Sequence, residues 1–411
     1  MGGDTMIVKL SDYIFSPLGD GTEANYQAVK AGRSALRRYE GRWGLPDPFV
    51  ASLFEEEALA AQTGADFEEL MHPVCTDAGE SALPHAVPSE GFTPFEQVLV
   101  HCIHGALESM RHEGSFDSAS PRVIFIISTT KGNVFLLDEK QRGFPKERVL
   151  LGVAAQKVAA FFGNPNPPLV VSNACISGLC AQIAAMRLLE GGFYDYAVVA
   201  GADMQSPFIV SGFQSFKALS DEPCRPFDAA RKGLNLGEAA ACLVYARQEQ
   251  AQPEEWVACR GAIRNDANHI SGPSREGEGS YRALRAVLEN FKTAHIAFIN
   301  THGTATAYND EMESVAIDRA GLAEVPVNAL KGYYGHTMGA AGVLETILSM
   351  RALDEGTILG TRGYAHCGVS RPLNLSPFHQ HTEKKAFVKL LSGFGGCNAA
   401  LLFAKGGESC Y

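Results

Sequence analysis

Residues Leu169–Glu190 read LVVSNACISGLCAQIAAMRLLE, and this stretch decides the fold. Leu169, Val170 and Val171 are rich enough in apolar and β-branched side chains to form a short buried strand. From Ile176 the apolar spacing turns helical, and Ala, Met and Leu carry it to Glu190. Cys175 therefore falls at a strand-to-helix elbow. Free N–H groups and the positive end of the helix dipole favour a thiolate there. Gly178, in the first turn, lets a second backbone or a substrate approach closely. A lone cysteine at a helix start is more often a packed core thiol than a nucleophile. The remainder of the chain decides between the two.

The 411 residues are 46% hydrophobic and 20% charged, the balance of a globular chain with a large core. No run of 18 apolar residues and no N-terminal signal peptide is found, which excludes a membrane span and points to the cytoplasm. Ten cysteines without CxxC pairs point to reduced thiols. A net charge of −11 argues against a nucleic-acid partner, and an acidic protein partner needs a local basic patch.

Before the elbow, Ile7–Leu10 reads as a short strand, Ser16–Gly19 as a turn, and Thr22 as the N-cap of a helix that stops at Gly32. Arg33, Arg37, Arg38 and Arg42 form a solvated face. Residues 44–91 are irregular. Thr93-Pro94-Phe95-Glu96 is a capping box that opens a helix to His112, ended by Gly114. His101 and His104 lie three apart on it and are structural, since no third ligand stands at a metal spacing. Arg122–Ser128 is a buried strand followed by the polar loop Thr129–Asn133.

After the elbow, Tyr196–Gly201 and Ala239–Ala246 are strands. The Gly- and Pro-punctuated stretch between them, Met204–Gly237, is a lid or binding loop. The second half repeats the alternation. Arg282–Phe291, Asp310–Ala320 and Gly339–Leu353 are helical, Ile296–Asn300 is a strand, and Ala386–Leu391 and Asn398–Lys405 form a hairpin. Strands alternating with helices point to mainly parallel α/β layers. NACISGLCAQIAAMRLL and GHTMGAAGVLETILSM share a reactive residue followed by glycine and a small-residue helix, which suggests a duplicated half.

Three further stretches carry chemistry. His302, in NTHGTAT, follows a buried strand at the end where sites collect. KGYYGHTMGAAG puts Lys331 and His336 beside close-packed glycines. GFGG, from Gly393, is a turn able to present backbone N–H groups. Two glycine-flanked histidines and an elbow cysteine together make a candidate site.

This combination resembles the β-ketoacyl-ACP synthases, the condensing enzymes of fatty acid and polyketide synthesis. The resemblance runs from SPLGDGTEANYQAVKAG to LLSGFGGCNAALLF and rests on SNACISG, CRPFDAARKGLNLGEAA, NTHGTATAYND, KGYYGHTMGAAGVLE and GFGGCN, in that order. Histidine at both 302 and 336 is similar to the elongating branch; the initiating branch carries Asn in place of the second. The resemblance implies a thiolase-like α/β fold: two similar βαβαβαββ-type halves, residues 1–247 and 248–411, in a five-layer α-β-α-β-α core.

It further implies that Cys175 takes an acyl group from its carrier, with the backbone N–H groups of Cys175 and Phe394 as oxyanion hole and Phe394 as gate. His302 and His336 then assist loss of CO₂ from malonyl-ACP, giving a 3-oxoacyl-ACP. Lys331 is the family's active-site lysine, and Glu345, Asp310 and Glu313 support the histidines. Thr304, Thr306, Ser271 and Gly395 border the phosphopantetheine tunnel, and Lys217 contacts the acyl carrier protein. No metal or organic cofactor is implied. The partner subunit is a second copy or a sister subunit such as a chain-length factor. Cys397 sits at a variable position of the GFGGCN motif. The first strand and the Thr129–Asn133 loop lack the family's usual glycines, which leaves chain length open between housekeeping fatty acid synthesis and a specialised product such as an aryl polyene. Two alternatives remain: a thiolase-like acyltransferase that does not decarboxylate, and a non-catalytic chain-length partner.

Overall fold

Two runs of strands share one wiring in this computed structural model, which describes residues 5–57, 59–60, 63, 91–110, 116–138 and 143–406. The first run comprises β1 (Met6–Ser16), β2 (Val123–Ser128), β3 (Leu169–Val171), β4 (Tyr196–Asp203) and β5 (Ala239–Gln248), arranged β1-β5-β4-β2-β3. The second comprises β6 (Trp256–Asn265), β7 (Ile296–Asn300), β8 (Pro326–Asn328), β9 (Ala386–Gly393) and β10 (Cys397–Lys405), arranged β6-β10-β9-β7-β8. In each run two antiparallel pairings are followed by two parallel ones. Even the bulge recurs: register shifts between Lys9 and Ser11 in β1 and between Ala258 and Arg260 in β6. The two sheets join where Val8 pairs with Val257. A duplicated half is thus present. The expectation of mainly parallel layers is corrected, because the first and last strands of each run are antiparallel to their neighbours.

Five layers follow from where the apolar faces go. Helices α4 (Ser177–Glu190) and α9 (Ala341–Asp354) lie back to back between the sheets, and Leu179, Ile183, Leu344 and Ile347 share a core with Val199, Leu243, Phe387 and Leu401. On the outer face of the first sheet, α2 (Pro94–Glu108) and α3 (Leu151–Phe161) bury Val98, Leu99 and Val158 against Phe125 and Val198. On the outer face of the second, α6 (Glu278–Val287) and α7 (Ala307–Arg319) bury Leu284, Val287 and Ile317 against Ile299 and Val388.

The central helices touch at glycine. A Cβ on Gly178 would come within 2.8 Å of the Gly339 carbonyl, and one on Gly342 within 2.4 Å of the Leu179 nitrogen. That contact brings the start of α4, after Cys175, against the start of α9, after His336. It sets the floor of the site.

Several local expectations shift. β1 runs from Met6 to Ser16, well past Leu10. Gly21 caps α1 (Thr22–Lys30), since Thr22 is already helical and its hydroxyl donates to Asp12 at 2.6 Å. Thr93 does cap α2 with both bonds of the capping box, but α2 ends at Glu108; His112 and Gly114 lie outside the described residues, as does most of 58–90. α6 and α7 begin about a turn earlier than the apolar spacing alone indicated. The stretch Met204–Gly237 holds a helix, α5 (Pro207–Ser215), capped by Ser206. β3 is not buried. Among the described residues it is the outermost strand of its sheet, paired on one side only, and Leu169 is 39% exposed. His101 is structural: its Nε2 lies 2.8 Å from the Asp20 carboxylate. Seven cysteines among the described residues are free, as expected, but Cys259 is disulfide-bonded. No described helix is long and apolar enough to cross a membrane.

Candidate active site

The elbow is strained. Ala174, immediately before Cys175, takes φ +46°, and Ser177 ties the turn by accepting the Asn173 N–H at 2.7 Å and donating to the Ala174 carbonyl at 2.6 Å. Ala305 and Met338, near the two histidines, also have positive φ, at +62° and +47°. Non-glycine residues in this region cost energy and cluster where structure serves chemistry.

Cys175, His302 and His336 converge. The Cys175 sulfur and a ring nitrogen from each histidine lie within 4.8 Å of one another, and the two imidazoles meet edge to face with centroids 4.9 Å apart. All three border a cavity of about 1130 Å³. Ser271, Thr304, Thr306, Phe394, Gly395 and Lys217 also line it. Lys331, Glu345, Asp310 and Glu313 stand behind the histidines instead.

The electrostatics reverse one expectation. Burial pushes the Cys175 thiol up to about 12, and nearby Cys397 adds to it; Lys331 and the Phe394 N–H, which bonds the sulfur, only partly oppose this. Desolvation therefore outweighs the helix N-terminus, and the resting group is a thiol. Both histidines are held well below their usual value, first by burial and then by Lys331. They are neutral bases beside a protonated nucleophile.

Their tautomers are not equivalent. The Met338 N–H donates to Nδ1 of His336 at 3.2 Å, so the proton of that neutral ring sits on Nε2, which has no hydrogen-bond partner. Nδ1 of His302 has no partner either, and its tautomer is free. The His302 backbone is tightly held. Its N–H and that of Gly303 donate to the two oxygens of Glu313 at 2.7 and 2.8 Å, and its carbonyl accepts from Lys331 at 2.6 Å. Burial raises Glu313 to about 7 and Asp310 to about 6. Asp310 accepts the N–H groups of Phe227 and Ala305 and braces the loop. Lys331 donates to Glu345 at 2.9 Å.

The Phe394 ring rests on Phe213 and Phe216, with centroids 6.0 and 5.5 Å away. Lys217 follows Phe216 at the cavity mouth with φ +54° and is exposed.

Two residues escaped the sequence reading. Asp203, at the end of β4, accepts from both hydroxyls of Thr129 and Thr130 and from the N–H of Gly339 at 2.7 Å, locking the polar loop to the turn that leads into α9. Lys389, on β9, is fully buried and donates to Glu345 at 2.6 Å. A charged residue inside the apolar run AFVKLLSG was the available signal.

An elbow cysteine facing two neutral histidines, on two copies of one layered half, defines a condensing acyltransferase of the thiolase-like fold. Residues 13–251 match the family described as "Beta-ketoacyl synthase, N-terminal domain" and residues 257–365 the "Beta-ketoacyl synthase, C-terminal domain". The chain belongs to the β-ketoacyl synthase family. It is 30% identical to "Nodulation protein E" of Rhizobium leguminosarum bv. trifolii over 69% of this chain and 70% of that one. It is 27% identical to "3-oxoacyl-[acyl-carrier-protein] synthase 2" of Vibrio cholerae, over 95% and 97%. In fold it is similar to the "Ketosynthase (ApeO) in Complex with its Chain Length Factor (ApeC) from Xenorhabdus doucetiae", with TM-score 0.81, 24% identity and 98% of each chain covered.

Proposed function

We propose that this chain is a 3-oxoacyl-ACP synthase that joins an acyl group held on Cys175 to malonyl-ACP with loss of CO₂. The observation that carries it is the meeting of Cys175 with two neutral histidines of fixed and free tautomer. Cys175 Sγ attacks the acyl thioester, and His302 takes the thiol proton and passes it to the departing carrier thiol. The N–H groups of Cys175 and Phe394 stabilise the tetrahedral oxyanion. Malonyl-ACP then enters past Phe394, and Nε2–H of His336, with an N–H of neutral His302, donates to its thioester carbonyl. CO₂ leaves, charge grows on that oxygen, and the carbanion attacks the acyl-Cys175 carbonyl. A carbon–carbon bond forms, the Cys175 sulfur leaves as thiolate, and a proton from solvent, relayed by His302, restores the thiol. No metal or organic cofactor takes part.

The partners belong to the same proposal. Thr304, Thr306 and Ser271 along the cavity suit the amides of a phosphopantetheine arm, and exposed Lys217 at its mouth suits an acidic carrier protein. The open edge of β3, with exposed Leu137, Leu150, Val153 and Leu169 on and around it, suits a second subunit, either a copy of this chain or a sister subunit. A cytoplasmic location fits the free thiol at Cys175.

The test is release of labelled CO₂ from carboxyl-labelled malonyl-ACP in the presence of acyl-ACP. Release coupled to 3-oxoacyl-ACP supports the reading. Acyl transfer without CO₂ contradicts it and favours a non-decarboxylating acyltransferase.

A further inference from the structure

Glu345 is held between two ammonium groups. Lys331 bonds one carboxylate oxygen at 2.9 Å and Lys389 the other at 2.6 Å, and all three side chains are buried. One carboxylate needs one cation. The second cation has only the more distant Glu313 carboxyl, itself raised to about 7 by burial, to balance it, an arrangement that stability alone disfavours. Burial does lower Lys389, to about 8, with Glu345 resisting, so its ammonium persists at neutral pH.

Its remaining bonds say what the second cation is for. Lys389 Nζ lies within hydrogen-bond distance of the carbonyls of Asn300 at 3.4 Å, Thr301 at 3.2 Å and, on its own strand, Leu390 at 3.3 Å, while Lys331 donates to the carbonyl that follows Thr301, that of His302. Three consecutive carbonyls at the end of β7 are thus fixed by two lysines. Lys389 is also among the charges that hold both imidazoles below their usual value, after burial and Lys331 for His336, and after burial, Lys331 and His336 for His302.

We propose that Lys389 is a positioning residue for the histidine pair: its ammonium anchors the strand end that carries His302 and places a second positive charge behind both imidazoles. This rests on the condensing reaction proposed above, where negative charge develops on an oxygen facing those rings. The other titratable groups around the pair are Lys331 on α8 (Lys331–Tyr334), Glu345 on α9, Glu313 and Asp310 on α7, Asp203 on β4 and Cys175 at the elbow. Removing Lys389 takes away one cation and leaves a balanced Lys331–Glu345 pair. The sign is then fixed: imidazolium becomes easier to form, and the acid limb of decarboxylation moves to higher pH.

The test compares Lys389→Met with the unaltered chain in decarboxylation, in acyl loading of Cys175, and in an NMR titration of the imidazoles, assigned through His302→Asn and His336→Asn. In Lys389→Met, decarboxylation is expected to fall about tenfold, with its acid limb and the titration of both rings displaced upward by about one pH unit. Acyl loading is expected to change less than decarboxylation. An unmoved limb and unmoved ring titrations overturn the proposal. If Lys389→Met does not fold, the unaltered chain still decides, since either ring protonating near pH 6.5 overturns it. An unaltered chain that releases no CO₂ contradicts the reaction, yet the ring titrations still test Lys389.

Discussion

The backbone N–H of Met338 donates to Nδ1 of His336 across 3.2 Å, and that one bond makes His336 a hydrogen-bond donor through Nε2. His302, with no partner on Nδ1, keeps the freedom to accept a proton. The proposed division of labour rests on this difference: His302 to move the thiol proton, His336 to stabilise the enolate oxygen. His336→Asn should therefore slow CO₂ release by about 10²–10³-fold, the usual cost of one oxyanion donor, while acyl loading of Cys175 changes much less. Single-turnover assays of the two half-reactions check this, and equal losses in both contradict the assignment.

The same histidines make stability depend on pH. Both have folded-state pKa values well below the unfolded 6.5, through burial and then Lys331. As pH falls below about 6.5 the unfolded chain binds protons that the folded chain refuses, so stability is lost on that side, by up to about 1.4 kcal/mol per pH unit per ring. Burial raises Glu313 and Glu238 to about 7, which acts in the opposite sense. Between pH 7.5 and 5.5, denaturant unfolding of a His302→Asn, His336→Asn double variant should thus show a change in stability more favourable on the acid side than that of the parent. An equal change in both contradicts the neutral-histidine account.

Gly178 is where the two central helices meet. A Cβ there would lie 2.8 Å from the Gly339 carbonyl, 3.0 Å from the Val343 nitrogen and 3.1 Å from the Gly342 Cα, all of them backbone. Gly178→Ala should cost about 1–3 kcal/mol or more and lower the melting temperature. It should also reduce condensation, since Cys175 and His336 precede the helices that would be pushed apart. Unchanged melting and turnover contradict this reading of the helix contact.

Lys217 stands at the cavity mouth rather than among the reacting groups. Lys217→Glu should raise KM for the carrier-bound substrate about tenfold at low salt with little change in kcat, and the difference should shrink as salt rises. A fall in kcat with KM unchanged contradicts a carrier-docking role.

The chemistry of this chain was legible where local chemistry is sequence-local. The elbow at Cys175, the capping box at Thr93, the strand before His302 and the hairpin around Gly393–Cys397 each declare themselves through spacing and residue type. The repeat was legible only as a faint likeness between two helices, because its proof lies in strand order rather than residue identity. β3 was misread as buried because an apolar run looks the same in a sheet centre and at a sheet edge. The thiolate expectation failed because dipole and desolvation compete, and only burial in three dimensions decides which wins. Lys389 was passed over because its partners, Glu345 and the carbonyls of Asn300 and Thr301, are far away in sequence.

The most direct measurement is intact-protein mass spectrometry of the chain given a panel of acyl-ACPs and then malonyl-ACP, with Cys175→Ala alongside. The account predicts an acyl adduct on the parent that maps to Cys175, is absent from Cys175→Ala, and disappears when malonyl-ACP is added as CO₂ and 3-oxoacyl-ACP form. An adduct that persists after malonyl-ACP, or that forms equally on Cys175→Ala, would contradict it.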